Sequence, residues 1–197
     1  FKKNFGQTAA LRAAIEHSQG ELFISIDADL QNDPADIPKL LQKISEGYDV
    51  VSGWRNRRKD SFLSRKLPSK IANKLISWIT GVHLNDYGCS LKIYRREFLN
   101  PEFICGEMHR FLPAFAGWQG AKICEIAVNH HPRKHGVSKY GIFRIFKVII
   151  DLITVKFMTG YSSKPNYFFS AIGIPLILLG GVCFLIHAYR VLVLENL

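Results

Sequence analysis

Short apolar runs alternate with helical stripes along the first part of the chain. From Thr8 to Ser18 the small and apolar residues Ala9, Ala10, Ala13, Ala14 and Ile15 suit a packed helix, which Gly20 closes. Leu22-Phe23-Ile24-Ser25-Ile26 is a near-continuous apolar run that stops at Asp27-Ala28-Asp29, the pattern of a buried parallel strand. A second helix follows, with Asp33 as N-cap, Pro34 as its first residue and Ile37, Leu40, Leu41 and Ile44 as its apolar stripe before Gly47. Tyr48 to Ser52 reads as another short strand. Helix, strand, helix, strand at this pitch implies an α/β sheet with right-handed crossovers.

From Phe62 to Thr80 the residues Leu63, Leu67, Ile71, Leu75, Ile76 and Ile79 repeat at helical spacing, with lysines opposite and Gly81 as the stop. Cys89 to Tyr94 alternates like a half-buried strand, and Ile123 to Val128 forms another. Between them Glu107 to Trp118 reads as helical, interrupted near Pro113.

The pattern then changes. Between Gly141 and Thr159 the residues Ile142, Ile145, Phe146, Ile149, Ile150, Ile153 and Phe157 make one apolar face, while Arg144, Lys147, Asp151 and Lys156 are polar. A basic amphipathic helix of this kind suits the membrane interface; packing on the domain's own core is the other reading. Phe168 to Ile186 is a run of 19 residues without a charge. At 1.5 Å per residue it covers about 28 Å, close to the hydrocarbon thickness of about 30 Å. Gly173, Pro175, Gly180 and Gly181 disfavour a soluble helix and are tolerated in a membrane span. The basic residues before it place the preceding domain in the cytoplasm, and the expected location is integral to the cell inner (cytoplasmic) membrane. The expected organisation is a catalytic domain over 1–140, an amphipathic juxtamembrane segment over 141–164 and a transmembrane helix with a truncated end over 165–197. The chain begins at Phe1 inside a basic loop and stops soon after the apolar run, so it reads as part of a longer protein.

Composition narrows the class. At 48% apolar and 21% charged residues the chain is globular rather than disordered. Its formal net charge of +10 calls for an anionic partner. The cations bunch at Arg55, Arg57, Arg58, Lys59, Arg65, Lys66, Lys70 and Lys74, then at Arg133, Lys134, Lys139, Arg144 and Lys147. No nucleic-acid module is present and the second cluster runs into the membrane-type segment, so membrane lipids and diphosphates are the expected partners and nucleic acid is not. The four cysteines lack C-x-x-C spacing, which fits reduced, buried thiols.

The sharpest chemical signal is Asp27-Ala28-Asp29-Leu30-Gln31 at the end of an apolar strand, where open α/β sheets bind ligands. Asp27, Asp29 and Gln31 supply hard oxygen donors at alternate positions, and two adjacent carboxylates repel unless a cation sits between them. Mg²⁺ or Mn²⁺ held there would neutralise a diphosphate and improve it as a leaving group. The competing reading is an acidic turn that caps the next helix through Asp33.

The wider set of motifs resembles glycosyltransferase family 2. It comprises Phe5-Gly6-Gln7, Asp27 to Pro34, Gly47-Tyr48-Asp49-Val50-Val51 with Gly53-Trp54-Arg55, Asp86 to Lys92, and Arg133-Lys134-His135-Gly136-Val137-Ser138-Lys139-Tyr140. The order, ending in a membrane helix, is similar to dolichol-phosphate mannose synthases and bacterial undecaprenyl-phosphate glycosyltransferases, including the aminoarabinose-transferring branch. The resemblance implies a GT-A fold, a Rossmann-like mixed sheet with flanking helices, and inverting transfer of one sugar from a nucleotide-sugar to a polyprenyl phosphate. It assigns Asp27, Asp29 and Gln31 to the metal and donor diphosphate. Arg55, Arg133, Ser138 and Lys139 go to the donor and acceptor phosphates. Asp86 falls where inverting GT-A enzymes place a general base. A phosphate monoester is already largely dianionic at neutral pH, so it attacks with little help, and positioning is the role preferred for Asp86. Glu107-Met108-His109-Arg110 also belongs to the resemblance, as a segment that shapes the acceptor site.

The family's N-terminal unit, which holds the nucleoside, lies outside this sequence; a uridine nucleotide is favoured over guanosine, and a homo-oligomer is left open. Two alternatives compete: a processive polysaccharide synthase of the same fold, which would carry a Q-x-x-R-W motif that this sequence lacks, and a catalytically dead membrane-anchored binding protein, against which intact Asp27 and Asp29 argue.

Overall fold

The structure, a computed structural model, describes residues 1–56, 67–104, 106, 108–132 and 143–194. It divides into two compact units, Phe1–Val155 and Lys156–Leu197.

The first unit is built on a mixed sheet. Its strands are β1 (Leu22–Ser25), β2 (Val50–Trp54), β3 (Lys92–Arg95) and β4 (Ile123–Ala127), in the order β1-β3-β2-β4. β3 runs antiparallel to both neighbours, while β2 and β4 are parallel. Hence the carboxyl ends of β1, β2 and β4 and the start of β3 share one edge. Two expectations change here. The apolar run at Leu22 is an edge strand paired antiparallel, with Ile24 and Ile26 exposed. The alternating strand at Lys92 lies between two others and is buried on both faces up to Tyr94.

Alternation along the strands separates two cores. Val50 and Tyr94 join Ile15 of α1 (Gln7–His17) and Leu112 and Ala116 of α4 (Leu112–Trp118) on one face. Val51 and Ile93 join Leu40 and Ile44 of α2 (Ile37–Ser45) on the other. The Asp33 side chain accepts from the Ala35 N–H and opens a 3₁₀ turn, Pro34–Asp36, that feeds α2, as the capping pattern requires. Pro113 starts α4 rather than interrupting it, since its missing N–H costs nothing in a first turn. Gly53 is compulsory: a Cβ there would lie 2.9 Å from the Leu91 carbonyl oxygen and 3.0 Å from Cys89 Sγ.

α3 (Leu67–Thr80) reverses part of its expected face. Ile76 is buried, whereas Ile71, Leu75 and Trp78, at i, i+4 and i+7, form an outward row, with Trp78 80% exposed. α5 (Phe143–Gly160) carries two apolar rows instead of one. Leu152 and Val155 are buried, while Ile149, Ile150 and Ile153 are exposed, Ile150 at 63%.

In the second unit, α6 (Pro165–Tyr189) contains Pro175 and is exposed along its apolar length. With its continuation it forms a span from Pro165 to Leu192 of 28 residues and mean hydropathy 2.4. It is long and apolar enough to cross a membrane, with Tyr167 and Tyr189 near its ends, where aromatic side chains favour the interface.

Candidate active site

Ser90 knits the acidic turn to the sheet edge. The Ser25 hydroxyl donates to the Ser90 carbonyl (2.8 Å). Ser90 Oγ in turn accepts from the Asp27 N–H (3.2 Å) and from Asn32 Nδ2 (2.8 Å). Within the turn, Asp29 Oδ1 accepts from the Gln31 N–H at 3.1 Å, and Leu30 adopts a left-handed φ of 61°. Gln7, at the start of α1, donates to Asp27 Oδ1 at 3.0 Å. The far side of the turn is tied to the segment after β4: the His131 N–H donates to the Gln31 carbonyl at 2.8 Å, and Asn32 bridges His130. Asp27, Asp29 and Gln31 therefore stand at the sheet edge, half-buried, on a turn held from both sides. Among the described residues no three His, Cys, Asp or Glu gather into a metal cluster. Two carboxylates and an amide still fit a hard divalent ion, because Mg²⁺ takes one or two protein carboxylates and completes its shell with water and substrate phosphate.

Next to this turn, Arg55 and Asp86 form a bidentate pair. Arg55 Nε donates to Asp86 Oδ2 at 2.7 Å and Nη2 to Oδ1 at 2.8 Å, with side chains 14% and 6% exposed. The N–H groups of Arg55 (3.3 Å) and Gly88 (3.1 Å) also donate to the same carboxylate. Glu125 of β4 holds the loop from behind, accepting from the backbone N–H groups of Asn85 and Asp86 at 2.9 and 2.8 Å. Arg133, Ser138 and Lys139 lie outside the described residues.

A cavity of about 350 Å³ opens beside the turn, between α1 and the edge of the sheet. Gln7, Asp27, Ser90, Lys92, His109 and Arg110 supply its polar lining. Lys92 is 4% exposed and donates to the Tyr87 carbonyl at 2.9 Å. Burial brings its ammonium down to about 8. Burial, helped by Arg110 and Lys92, takes the His109 imidazole down to about 4, so the ring is neutral at pH 7, with Nδ1 2.8 Å from the Thr8 hydroxyl. The Tyr87 phenol, buried and hydrogen-bonded to the Val82 carbonyl at 2.7 Å, is pushed up to about 12. Ser90, Lys92 and Gln7 fall within the sequence motifs without a role assigned to them there; for Lys92 the local signal is a lysine inside an otherwise apolar strand. A larger groove of about 680 Å³ along α6, around Tyr167 and Pro175, offers no charged group for this chemistry.

The model of Glycosyl transferase family 2 matches residues 1–103, and the chain belongs to that family. It is 48% identical over 191 residues to the dodecaprenyl-phosphate galacturonate synthase of Rhizobium johnstonii, covering 95% of this chain and 56% of that protein. It is 43% identical over 152 residues to the undecaprenyl-phosphate 4-deoxy-4-formamido-L-arabinose transferase of Aeromonas hydrophila, covering 77% of this chain and 46% of the relative. The chain thus spans about half the length of the curated relatives it matches. Among solved structures, a mycobacterial protein superposes with a TM-score of 0.52 at 17% identity, over 75% of this chain and 51% of that one. Glucosyl-3-phosphoglycerate synthase from Mycobacterium tuberculosis gives a TM-score of 0.50 at 16% identity, over 78% and 55%. These likenesses establish the GT-A type of fold, a mixed sheet with flanking helices.

Proposed function

We propose that this chain is the phosphate-handling and membrane-facing part of an inverting glycosyltransferase that moves one sugar from a nucleotide-sugar to a polyprenyl phosphate. The observation that carries the reading is the braced acidic turn Asp27–Gln31, at the mouth of the cavity on the carboxyl edge of the sheet. In such sheets that edge is where ligands dock. The relatives' names, each joining a polyprenyl phosphate to a sugar, support the acceptor class.

In this reading Asp27, Asp29 and Gln31 hold Mg²⁺ or Mn²⁺, which when bound offsets charge on the leaving diphosphate. The acceptor phosphate oxygen forms a bond to the anomeric carbon as the carbon–oxygen bond to the nucleoside diphosphate breaks, with inversion. No proton needs removing from a dianionic phosphate, whose second pKa is near 6. Asp86 is accordingly assigned to hold Arg55 beside the phosphates: its oxygens already accept four hydrogen bonds, an arrangement suited to positioning. Arg133, Ser138 and Lys139 are assigned to the phosphates on the strength of the family motif. The donor is a uridine nucleotide-sugar.

The membrane placement rests on α6 and on two outward apolar rows, Ile71–Leu75–Trp78 of α3 and Ile149–Ile150–Ile153 of α5. Lys70 and Lys74 accompany the first row, and cations beside exposed apolar residues suit an anionic lipid surface. Lys156 and Lys164 precede α6, which puts the catalytic unit on the cytosolic side of the cell inner membrane by the positive-inside rule. The segments 1–140, 141–164 and 165–197 then serve catalysis, the interface and anchoring. The test is transfer of a labelled sugar into the lipid fraction by the intact protein in detergent; label that stays entirely in water contradicts the proposal.

A further inference from the structure

Part of the lining of the cavity beside Asp27 has no role in the chemistry above. Lys92 and Arg110 both line it, and both are cations. Among the described residues Asp27 is the one carboxylate in the lining, and it accepts a hydrogen bond from Gln7. Lys92 spends one N–H on the Tyr87 carbonyl and makes no other hydrogen bond among the described residues. Arg110 makes no hydrogen bond or ion pair among them. A buried ammonium needs several partners, and a guanidinium presents five donors in a fixed fork. Arg55, which Asp86 holds, is not among the residues that line this cavity. Among the described residues, the cations that line the cavity are Lys92 of β3 and Arg110 of the turn before α4.

We infer that Lys92 and Arg110 form an oxyanion subsite in the cavity beside the acidic turn, which takes a phosphate or carboxylate group of the substrate. The arrangement explains why a lysine occupies a buried position of β3, on the same face as Tyr94, where an apolar residue would pack more cheaply. The two cations also depress the protonation of His109 beside them, so the wall holds repelling positive charge that an oxyanion between them relieves. His109 stays neutral and adds a hydrogen-bonding ring without adding to that repulsion. The subsite rests on the glycosyltransferase reading only in calling the anion part of a sugar donor or lipid acceptor.

The experiment uses the intact protein in detergent and two simple anions, inorganic pyrophosphate and D-glucuronate, titrated calorimetrically. Lys92→Gln and Arg110→Gln are each expected to weaken one of the two roughly ten- to hundredfold, the range of one charge-assisted hydrogen bond. Loss of pyrophosphate binding identifies a phosphate as the occupant, and loss of glucuronate binding identifies a sugar carboxylate. Lys92→Arg keeps the charge and is expected to retain binding, which separates ligand contact from the bond to the Tyr87 carbonyl. Arg110→Gln removes no hydrogen bond among the described residues, so it tests the site even where the buried Lys92→Gln variant misfolds. Unchanged binding of both anions by Arg110→Gln and by folded Lys92 variants overturns the inference, as does failure of the wild type to bind either. Sugar transfer by the same wild-type preparation reports separately on the glycosyltransferase reading.

Discussion

Arg55, just past the end of β2, and Asp86, in the loop that leads to β3, close a two-pronged ion pair, 2.7 and 2.8 Å long and largely buried. A pair like this is costly to break on one side, because the remaining charge stays desolvated. Asp86→Ala and Arg55→Ala are each expected to destabilise the protein by about 3 kcal/mol. The double variant should lose less than the sum, with a coupling of about 1–3 kcal/mol in a thermal or denaturant cycle. Additive losses contradict the pairing.

Removing the second carboxylate of the acidic turn should stop transfer without unfolding the domain. Asp29 accepts a short-range bond from the Gln31 N–H at 3.1 Å and belongs to neither hydrophobic core, so Asp29→Ala is expected to leave the cores intact. Losing an ion ligand removes several kcal/mol of charge stabilisation at the leaving diphosphate. Gln31→Ala should be milder, as a neutral oxygen donor. Full activity of Asp29→Ala, or of wild type in excess EDTA, excludes the metal role.

His109 gives the fold a pH dependence of known sign. Its imidazole sits near pKa 4 when folded against 6.5 ordinarily, so between these values the unfolded chain binds the proton and the folded one does not. Stability therefore rises with pH across that window and is lost as pH falls through it, by at most about 3 kcal/mol. In His109→Gln the contribution vanishes. The difference in thermal midpoint between the two proteins should change from pH 6.5 to pH 4 and stay flat from pH 7 to 8. A constant difference throughout contradicts a buried, neutral imidazole.

Local signals and non-local contacts divide what the sequence makes legible. α1, α2 with the Asp33-capped turn that feeds it, β4 and α6 follow from periodicity, since each buries or exposes a face that its own residues declare. β1 and β3 do not. Whether a strand is central or at an edge depends on which distant segment pairs with it, and the polar Ser90 and Lys92 disguise β3 as half-buried. The same limit applies at the site. Asp27, Asp29, Gln31, Arg55 and Asp86 stand out by residue type and motif, but the Arg55–Asp86 pairing exists only because β2 lies beside β3. Lys92 closes one of the motifs, but its role is not legible there because the Tyr87 carbonyl and the cavity that accommodate it come from the loop and from α1. The outward turn of Ile71 and Trp78 reflects which row of α3 reaches the core, a matter that helical spacing alone leaves undetermined.

Membrane attachment should come in two strengths. The intact chain should resist carbonate extraction through Pro165–Leu192, a span of hydropathy 2.4. Truncation before Lys164 should leave a peripheral protein released by salt, because each Lys or Arg at an anionic surface contributes only about 1 kcal/mol. Ile150→Glu or Trp78→Glu should weaken vesicle binding of that truncated form at low salt without lowering its melting temperature, as both side chains are exposed. A truncated form that ignores anionic vesicles at low salt contradicts the interfacial role of α3 and α5.

The central claim is transfer of one sugar to a polyprenyl phosphate at the Asp27–Gln31 turn. It is tested most directly by mass spectrometry of the organic phase after the intact protein meets a uridine nucleotide-sugar, undecaprenyl phosphate and Mg²⁺. The account predicts a single new lipid, heavier than the acceptor by one glycosyl residue, absent with EDTA and absent in Asp29→Ala. A ladder of lengthening glycans, a product on a soluble acceptor, or undiminished product from Asp29→Ala would contradict it.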